Sequence, residues 1–600
     1  MPDSYHMLLD SSSQRQRPVR IVGEGLRSFV LVGLITVILF GALGSRLGVL
    51  QLLQGERNRE LANENRIRLI PKRPERGKIR DRKGRTLATS DFTYSVFVWP
   101  LVQKDPAWPR TLKILVNILG IPEKTIQDPL EKAGENSPSL VRISKGLSFA
   151  QVVALSERSD ELVGVELDKE ALRSYPHKEL AAQLLGYIGE INAEEYAERK
   201  EQGYRLGDVI GKSGIEAQYQ DALRGVWGGQ QVEVDGAGGI VRVLGQKPSE
   251  SGQDITLNLD LDVQEAAEKA LGNRPGAVVA LDPRDGAVLA MVSHPGFDPN
   301  WFAQGITQAQ WNTIQTRKFP LVNRATRTFP PASTFKVVAA TAGMESGKYP
   351  PNTRLMTYGS IHGVRAWNGA GFGVIGYRGA LQWSSNTFFG QVGVKAGPDE
   401  LMKWAHKYSI GEKTGIDLPN EGTGFIPDPA WKKKVFKSPW YPADSVMVSI
   451  GQGAVQASPL QIAVMFAAIA NNGYRVTPHI RKTDAPPEQF RKSLGLKPST
   501  LQTIQGGLRD VVSKGTGKAL DVPNLPKIAG KSGTGEDPPR PTHTWFGGYA
   551  PFEKPEIVVV AFGQNTGGGG GSTCGPIVKQ VMEAYFKHNP VKNNPSKKKT

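Results

Sequence analysis

The most strongly apolar stretch of the chain lies near its amino terminus. Residues 29–43 carry no charge, and a second apolar run, 47–53, follows after a short break that contains Arg46. Arg46 can extend its side chain toward lipid headgroups, so residues 28–53 fit one transmembrane helix with a juxtamembrane turn. A cleaved signal peptide is the alternative, because residues 42–44 faintly resemble a cleavage site, but the apolar pattern continues beyond them.

Alternating apolar and polar positions predict strands in the second half of the chain. Two apolar runs flank residues 282–286, where proline followed by Asp-Gly is typical of a hairpin turn. The strand candidates are residues 254–264, 276–281, 287–293, 527–533, 543–549 and 557–564. A helical pattern fills residues 333–475 between them. Strands at both ends with helices between predict an α+β domain whose ends pair in one antiparallel sheet.

The remaining patterns divide the chain into segments. Residues 90–250 mix short strands with charged helices and hold no convergent cluster of reactive side chains. The glycines of residues 567–571 predict a flexible loop. We therefore expect a cytoplasmic tail at 1–27, the transmembrane helix and juxtamembrane segment at 28–53, a head or pedestal domain at 54–250, a catalytic domain at 251–588, and a basic disordered tail at 589–600.

Charge fixes the expected orientation in the membrane. The arginines that precede the apolar stretch are Arg15, Arg17, Arg20 and Arg27. Positive residues stay on the cytoplasmic side, so the chain is expected to be a single-pass protein of the plasma or inner membrane. Its amino terminus would be cytoplasmic, and its bulk would be periplasmic or extracellular.

Composition excludes several classes of protein. The 600 residues exceed what one core holds, and 39% apolar and 22% charged residues are ordinary for globular domains. The net charge of +17 is spread along the chain without a nucleic-acid-binding motif, so no nucleic acid partner is expected. A basic surface suits anionic lipid or wall polymer. Cys574 is the single cysteine, which rules out an intrachain disulfide, and no histidine lies near it to make a catalytic pair.

The strongest chemical signal lies in residues 329–345. Pro330 and Pro331 precede a predicted helix start near Ser333, and Lys336 is three residues further on, so one helical turn places both side chains on one face. A serine attacks only when a base removes its proton, and a lysine is such a base only when burial and nearby positive charge lower its pKa. A capping serine followed by a surface lysine is the alternative for this motif alone.

Two further motifs follow in the same domain. Ser384-Ser385-Asn386 supplies a hydroxyl that could relay a proton and an amide that could hold a peptide carbonyl. Residues 531–534, Lys-Ser-Gly-Thr, follow apolar residues and predict a strand edge that can admit a substrate backbone and its carboxylate. In this order the three motifs form the S-x-x-K, S-x-N and K-[ST]-G set of penicillin-interacting serine enzymes.

With these motifs the chain resembles a class B penicillin-binding protein, from the membrane anchor to about residue 585. Further stretches that carry the resemblance are residues 76–88, 173–191, 211–225 and 449–463. The amino-acid sequences of these stretches resemble the elongation type more closely than the division type. The resemblance implies the penicillin-binding and serine β-lactamase fold, an antiparallel sheet flanked by helices plus a helical lobe, preceded by an elongated α/β head domain.

The resemblance also implies a role for each motif residue. Ser333 would be the acylated nucleophile, Lys336 its general base, Ser384 a proton relay, and Lys531 a source of positive field linked to Ser384. The implied substrate-binding residues are Asn386, Ser532, Gly533 and Thr534. The backbone N–H groups of Ser333 and Thr534 would form the oxyanion hole.

No cofactor and no metal site are expected. Some elongation-type members hold zinc between the first two motifs, but here residues 355–386 contain neither Asp nor Cys, and His362 is the only candidate ligand. Phe372 occupies the place where such members have a histidine, and zinc requires three or four ligands. No acidic glycosyltransferase module precedes the catalytic domain either.

The function expected from the resemblance is peptidoglycan D,D-transpeptidation, with cell elongation and shape as its context. Ser333 would form an acyl-enzyme on D-Ala-D-Ala of a stem peptide, and β-lactams would acylate the same residue. The alternatives are a D,D-carboxypeptidase or β-lactamase, and a β-lactam sensor or inactive scaffold. The implied partners are a membrane glycosyltransferase of the shape, elongation, division and sporulation family and scaffold proteins of elongation.

Overall fold

The computed structural model describes residues 22–54, 67–134, 137, 140–205, 207–234 and 240–590. Its first element is an apolar helix, α1 (Val22–Gly48), which continues as a π-helical turn, Val49–Leu53. The apolar span Phe29–Gly48 is long enough to cross a membrane by length and composition. Most of the expected amino-terminal tail, 1–27, and of the expected carboxyl-terminal tail, 589–600, lies outside the described residues.

The described chain contains both strands and helices along its whole length, with a run of six helices between β16 and β17. The strands are β1 (Ile67–Lys72), β2 (Ile79–Arg80), β3 (Thr86–Val98), β4 (Val141–Ser144), β5 (Val165–Ser174), β6 (Ile188–Glu190), β7 (Val209–Gly211), β8 (Gly228–Val234), β9 (Ile240–Lys247), β10 (Ile255–Thr256), β11 (Gly276–Leu281), β12 (Val288–His294), β13 (Arg354–Thr357), β14 (Ser360–Ile361), β15 (Val364–Arg365), β16 (Gly373–Gly376), β17 (Tyr474–Val476), β18 (Arg491–Ser493), β19 (Ala529–Asp537), β20 (Arg540–Ala550) and β21 (Ile557–Gly563). The further helices are α2 (Trp108–Leu119), α3 (Glu123–Ala133), α4 (Phe149–Ser156), α5 (Ala182–Leu185), α6 (Ala193–Arg199), α7 (Gly214–Gln218), α8 (Gln220–Leu223), α9 (Leu261–Leu271), α10 (Asn300–Gln304), α11 (Gln308–Thr316), α12 (Lys336–Glu345), α13 (Tyr377–Gln382), α14 (Asn386–Ala396), α15 (Pro398–Lys407), α16 (Pro429–Phe436), α17 (Pro442–Ser449), α18 (Pro459–Ala470), α19 (Pro498–Lys514), α20 (Gly570–Thr573) and α21 (Gly575–His588).

The chain forms two compact units. One comprises the residues up to Arg73 together with Trp227–Ser249, and it holds α1 and an antiparallel sheet in the order β1-β8-β9. The other comprises Pro74–Val226 and the residues from Glu250 onward. In this second unit β3 pairs with β5 over ten residues, from Thr89 opposite Ser174 to Val98 opposite Val165.

A five-stranded antiparallel sheet organises the second unit, in the order β12-β11-β21-β20-β19. Helix α18 has every residue buried and belongs to the core on one face of the sheet. Helices α9 and α21 contribute to a separate core on the other face. Two apolar cores on one sheet require strands that are buried on both faces, which explains why β11 and β21 read as continuous apolar runs. The α+β prediction is confirmed, and the hairpin predicted around residues 282–286 joins β11 to β12.

Residues 254–264 do not form the single strand that their alternation predicts. Only Ile255–Thr256 is a strand, and it pairs in parallel with β2. The helix α9 begins at Leu261 because the Asp260 side chain accepts a hydrogen bond from the backbone N–H of Asp262 at 3.2 Å. An aspartate that caps a helix in this way ends the strand pattern.

The last two glycines of the run at residues 567–571, where a flexible loop is predicted, are closely packed against other parts of the backbone. A Cβ added at Gly570 would lie 2.2 Å from the carbonyl oxygen of Gly533 and 2.3 Å from that of Trp545. The turn α20 therefore lies directly on strands β19 and β20, and only glycine allows this approach. Cys574 follows it, fully buried, and burial raises the pKa of its thiol to about 12.

Candidate active site

Ser333 lies in a 3-10 turn, Ala332–Phe335, that leads directly into α12. Ala332 adopts a left-handed backbone conformation, with φ of +50°, which costs a residue with a Cβ about 1 kcal/mol or more. The turn is held by a hydrogen bond of 2.9 Å from the Ala332 N–H to the carbonyl of Gly451. A Cβ at Gly451 would lie 2.2 Å from the Ala332 oxygen, so glycine is required there. This support presents a half-buried Ser333 at the start of a helix.

Lys336, one helical turn after Ser333, is fully buried. Its Nζ donates to the Ser384 carbonyl at 2.8 Å and to Asn386 Oδ1 at 2.6 Å, and lies 3.2 Å from Ser384 Oγ. Burial, followed by the nearby positive charge of Lys531, holds the pKa of Lys336 well below its usual range. A neutral amine has two N–H groups for the two oxygen acceptors and a lone pair left for a hydroxyl proton. An amine held in this way could accept a proton, which is the role that the sequence resemblance implies for Lys336.

Ser384 and Asn386 reach Lys336 because of the backbone between α13 and α14. Ser384 is left-handed, with φ of +54°. Ser385 begins the next helix by accepting a hydrogen bond of 3.3 Å from the Phe388 N–H. Asn386 is held from its other side, since its Nδ2 donates to the Arg365 carbonyl at 2.9 Å. The middle serine of the motif is therefore a helix cap, and its two neighbours face the buried lysine.

Lys531 lies on β19 with no exposed surface. It pairs with Gly547 on β20, and its Nζ donates to the Ser532 carbonyl at 2.8 Å. Burial lowers the pKa of Lys531 to about 7. Among the described residues it makes no hydrogen bond to Ser384, so the link expected between these two side chains is not a direct one. Lys531 instead affects the site through its charge, which acts on Lys336.

Strand β19 runs beside the turn that carries Ser333. A Cβ at Gly533 would lie 3.3 Å from both the Pro331 oxygen and Thr334 Cγ2, which shows how closely strand and turn approach. Ser532 Oγ lies 2.8 Å from Thr516 Oγ1. Thr534 is exposed, and its Oγ1 accepts a hydrogen bond of 3.2 Å from the Gly570 N–H.

This strand ends the sheet order, so in the described chain its outer edge has no paired strand. An exposed edge with backbone donors and acceptors can receive an extended peptide as an additional strand. The three motifs are far apart in sequence but close in space. Lys336 contacts Ser384 and Asn386, and β19 approaches the turn that carries Ser333.

Sequence reasoning missed two contributors to the site. Thr516, which fixes the Ser532 hydroxyl, lies in a Gly-Thr-Gly stretch that carries no motif for this role. Trp367 is 60% exposed and donates from Nε1 to the Trp383 carbonyl at 2.7 Å, directly before Ser384. Phe372 stacks on Trp383, with ring centroids 6.2 Å apart. Trp367 and Phe372 thus form an aromatic surface on Trp383, next to Ser384. Aromatic residues close in sequence to a predicted motif are the signal that could have identified this surface. The expectation that the site uses no metal stays a prediction.

A buried lysine one helical turn after a serine at a helix start, next to an open sheet edge, is the arrangement expected of a serine acyltransferase of the penicillin-interacting type. A model of the penicillin-binding protein transpeptidase domain matches residues 276–583, and a model of the penicillin-binding protein dimerisation domain matches residues 71–257. The peptidoglycan D,D-transpeptidase MrdA of Acinetobacter baumannii is 32% identical over 94% of this chain and 88% of its own length.

Solved structures agree with this likeness. The complex of penicillin-binding protein PBP2 with MreC from Helicobacter pylori has a TM-score of 0.79 at 26% identity, over 87% of this chain and 100% of that one. A peptidoglycan synthase complex that coordinates polymerization and crosslinking has a TM-score of 0.69 at 32% identity, over 94% and 98%. The chain belongs to the penicillin-binding protein family. The expected class, a class B peptidoglycan D,D-transpeptidase of the elongation type, is confirmed.

Proposed function

We propose that this chain cross-links peptidoglycan through an acyl-enzyme on Ser333. The observation that carries the proposal is the position of the buried Lys336 Nζ, which lies 3.2 Å from Ser384 Oγ. Burial and the charge of Lys531 lower the pKa of Lys336. An amine with a lowered pKa gives up its own proton more readily, and its neutral form can accept the Ser333 proton as Oγ attacks the D-Ala-D-Ala carbonyl. The C–N bond to the terminal D-alanine then breaks, and the proton passes through Ser384 to the leaving amine.

The second half-reaction reverses this proton path. The amine of a neighbouring stem peptide attacks the ester and gives a proton to Ser384. As the C–O bond to Ser333 breaks and the new peptide bond forms, Lys336 returns a proton to Ser333 Oγ. Asn386 is proposed to hold the donor peptide, while Ser532, Gly533 and Thr534 hold its backbone and carboxylate along β19. The oxyanion would accept hydrogen bonds from the backbone N–H groups of Ser333 and Thr534, and losing one such donor costs about 3 kcal/mol of barrier.

Penicillin labelling tests this assignment. We expect intact-mass measurement of the full chain after penicillin treatment to show one stable adduct, absent in Ser333→Ala and retained in the matched control Ser499→Ala, an exposed helix-start serine. Equal melting temperatures would show that Ser333→Ala is folded. Full labelling of folded Ser333→Ala would overturn the nucleophile assignment. An adduct lost within seconds would instead support the hydrolase alternative.

We propose that the domain limits follow the sequence expectation, with a head at 54–250 and a catalytic domain at 251–588. The separate family matches to residues 71–257 and 276–583 support this division. Helix α1 would anchor the chain as a single-pass protein, amino terminus inside and catalytic domain outside, since its apolar span suits a bilayer and arginines precede it. Protease accessibility in spheroplasts would test this orientation.

The proposed partners are a membrane glycosyltransferase that supplies glycan strands and a scaffold protein of elongation. The support comes from relatives, because one similar structure contains PBP2 with MreC and another is a peptidoglycan synthase complex. Co-purification of the full chain with each candidate, with and without residues 1–53, would test whether the anchor contributes to the contact. Stem peptides and β-lactams remain the proposed small partners of the site itself.

A further inference from the structure

A cavity lies in the transpeptidase domain, apart from the Ser333 site. Its volume is about 880 Å³. It is bounded by the carboxyl end of α9, residues 318–324, the segment that follows β21, and the amino end of α21. None of the eight motif residues of the proposed active site lines it.

All the charged side chains that line this cavity are basic. Four are basic, Arg274, Lys318, Arg324 and Arg540, and none is acidic. Arg540 has an ion partner, because its Nε lies 2.8 Å from Asp537 Oδ2. In the described part of the chain, the other three have no carboxylate partner. The cavity therefore carries a net positive field, which its walls of lower dielectric strengthen.

Arg324 is the most informative of the four. It is only 3% exposed, and its guanidinium donates to neutral oxygens alone: the Gln564 carboxamide at 2.7 Å and the carbonyls of Phe319 at 3.1 Å and Lys318 at 2.6 Å. Burial and the charge of Arg327 lower its pKa to about 10. A buried cation without an anion is costly, and an anionic ligand in the cavity would remove that cost.

The remaining walls indicate what kind of anion fits. Carboxamides of Asn273, Gln564 and Gln580 and the hydroxyl of Ser572 can bond amide or sugar groups, while Phe319 offers an exposed aromatic face. The volume is in the range of sites for extended ligands and far exceeds a single phosphate. A ligand with carboxylates, amides and sugar hydroxyls matches this surface, and peptidoglycan is such a ligand.

We propose that this cavity binds the carboxylate of a peptidoglycan stem peptide from a strand other than the one that acylates the enzyme. The proposal rests on the peptidoglycan activity above, and it concerns a different site. Residues 564–566 directly follow β21, which pairs with β20, which pairs with β19. Two strand spacings, about 10 Å, separate this wall from the active-site strand. A neighbouring strand held here would lie beside the site where its own amine must react.

The test uses the full chain in detergent, acylated with penicillin so that the active site is blocked. Binding of a purified disaccharide-tetrapeptide is measured by calorimetry, in parallel with the same fragment after its carboxylates are amidated and with inorganic phosphate. The double variant Arg274→Gln/Lys318→Gln removes two cations from the cavity. The control Lys554→Gln/Lys587→Gln removes two exposed lysines that do not line it.

We expect the acylated wild type and the control to bind the fragment alike, and the cavity variant to bind at least tenfold more weakly. The amidated fragment should bind as weakly as that variant does. No binding to the acylated wild type, or equal binding by both variants, would overturn the proposal, and so would phosphate that displaces the fragment at equal concentration. Absence of the penicillin adduct in the first step would count against the Ser333 assignment alone, so the two failures are distinguishable.

Discussion

Replacing Gly570 with alanine should displace strand β19 of the active site, because α20 packs directly on that strand. The added Cβ would lie 2.2 and 2.3 Å from two backbone oxygens, those of Gly533 and Trp545, and 2.9 Å from the Gly533 nitrogen. Ordinary contacts of a carbon atom are about 3.5 Å or longer, so turn and strands must separate by about 1 Å. Overpacking of this kind costs about 1–3 kcal/mol. Because backbone atoms cannot rotate away, we expect the upper end of that range.

Two measurements follow from this displacement. A loss of about 2–3 kcal/mol should lower the melting temperature by about 3–4 °C in a catalytic domain of this size, because the entropy of unfolding grows with chain length. The hydrogen bond of 3.2 Å from the Gly570 N–H to Thr534 Oγ1 should also be lost, so that Thr534 moves out of place. Since one misplaced oxyanion donor costs about a hundredfold or more, we expect at least a tenfold slower acylation by fluorescent penicillin.

The neighbouring Gly569→Ala is the matched control for this change. A Cβ at Gly569 would meet only Ser572 Oγ, at an ordinary 3.4 Å. Gly569 also has a φ of −104°, which alanine adopts freely. If Gly570→Ala melted and reacted like Gly569→Ala, the close packing of α20 on the active-site strand would be refuted.

Two further predictions concern the lysines of the site. Lys531→Met should abolish acylation yet raise the melting temperature, and raise it more at pH 6 than at pH 9.5. The folded-state pKa of Lys531, about 7, lies below its ordinary 10.5, so its destabilising effect is complete below pH 7 and fades as pH approaches 10.5. A melting-temperature difference independent of pH would contradict this. Asn386→Asp places a carboxylate against Lys336 Nζ, now 2.6 Å from the amide oxygen, and should raise the pKa of Lys336. Acylation should then fall at least tenfold at pH 7 and recover toward pH 9, whereas Asn386→Ala should show no such recovery.

The fold was predictable where local chemistry and tertiary packing agree. An Asp-Gly step favours a tight turn between two strands whatever surrounds it. The sequence of residues 282–286 therefore predicts the hairpin β11–β12. The strand predicted over residues 254–264 was wrong for all but Ile255–Thr256, because apolar alternation alone does not show where a helix begins. There the cap supplied by Asp260 decides in favour of α9. The packing of Gly570 could not be predicted from the glycine run at 567–571, because only the three-dimensional structure shows which backbone approaches it.

The site was predictable as far as its residues are fixed by motif spacing. Ser333 and Lys336 share a helical turn by sequence alone, but burial of the Lys336 amine depends on residues 48 and 50 positions away. Thr516 could not be found because its contact with Ser532 crosses from one element to another. Motif spacing therefore predicts which residues the proposed chemistry would use, while the pKa shifts that this chemistry requires depend on tertiary packing.

The buried Cys574 has a practical consequence for measurements of motion. Its thiol is the only one in the sequence, is fully buried, and has a pKa of about 12, so it carries almost no thiolate at neutral pH. Maleimide probes react with exposed thiolates and should leave it untouched in the folded chain. A single cysteine introduced on the surface would thus be the sole attachment point for a fluorophore or spin label, with the native sequence otherwise intact.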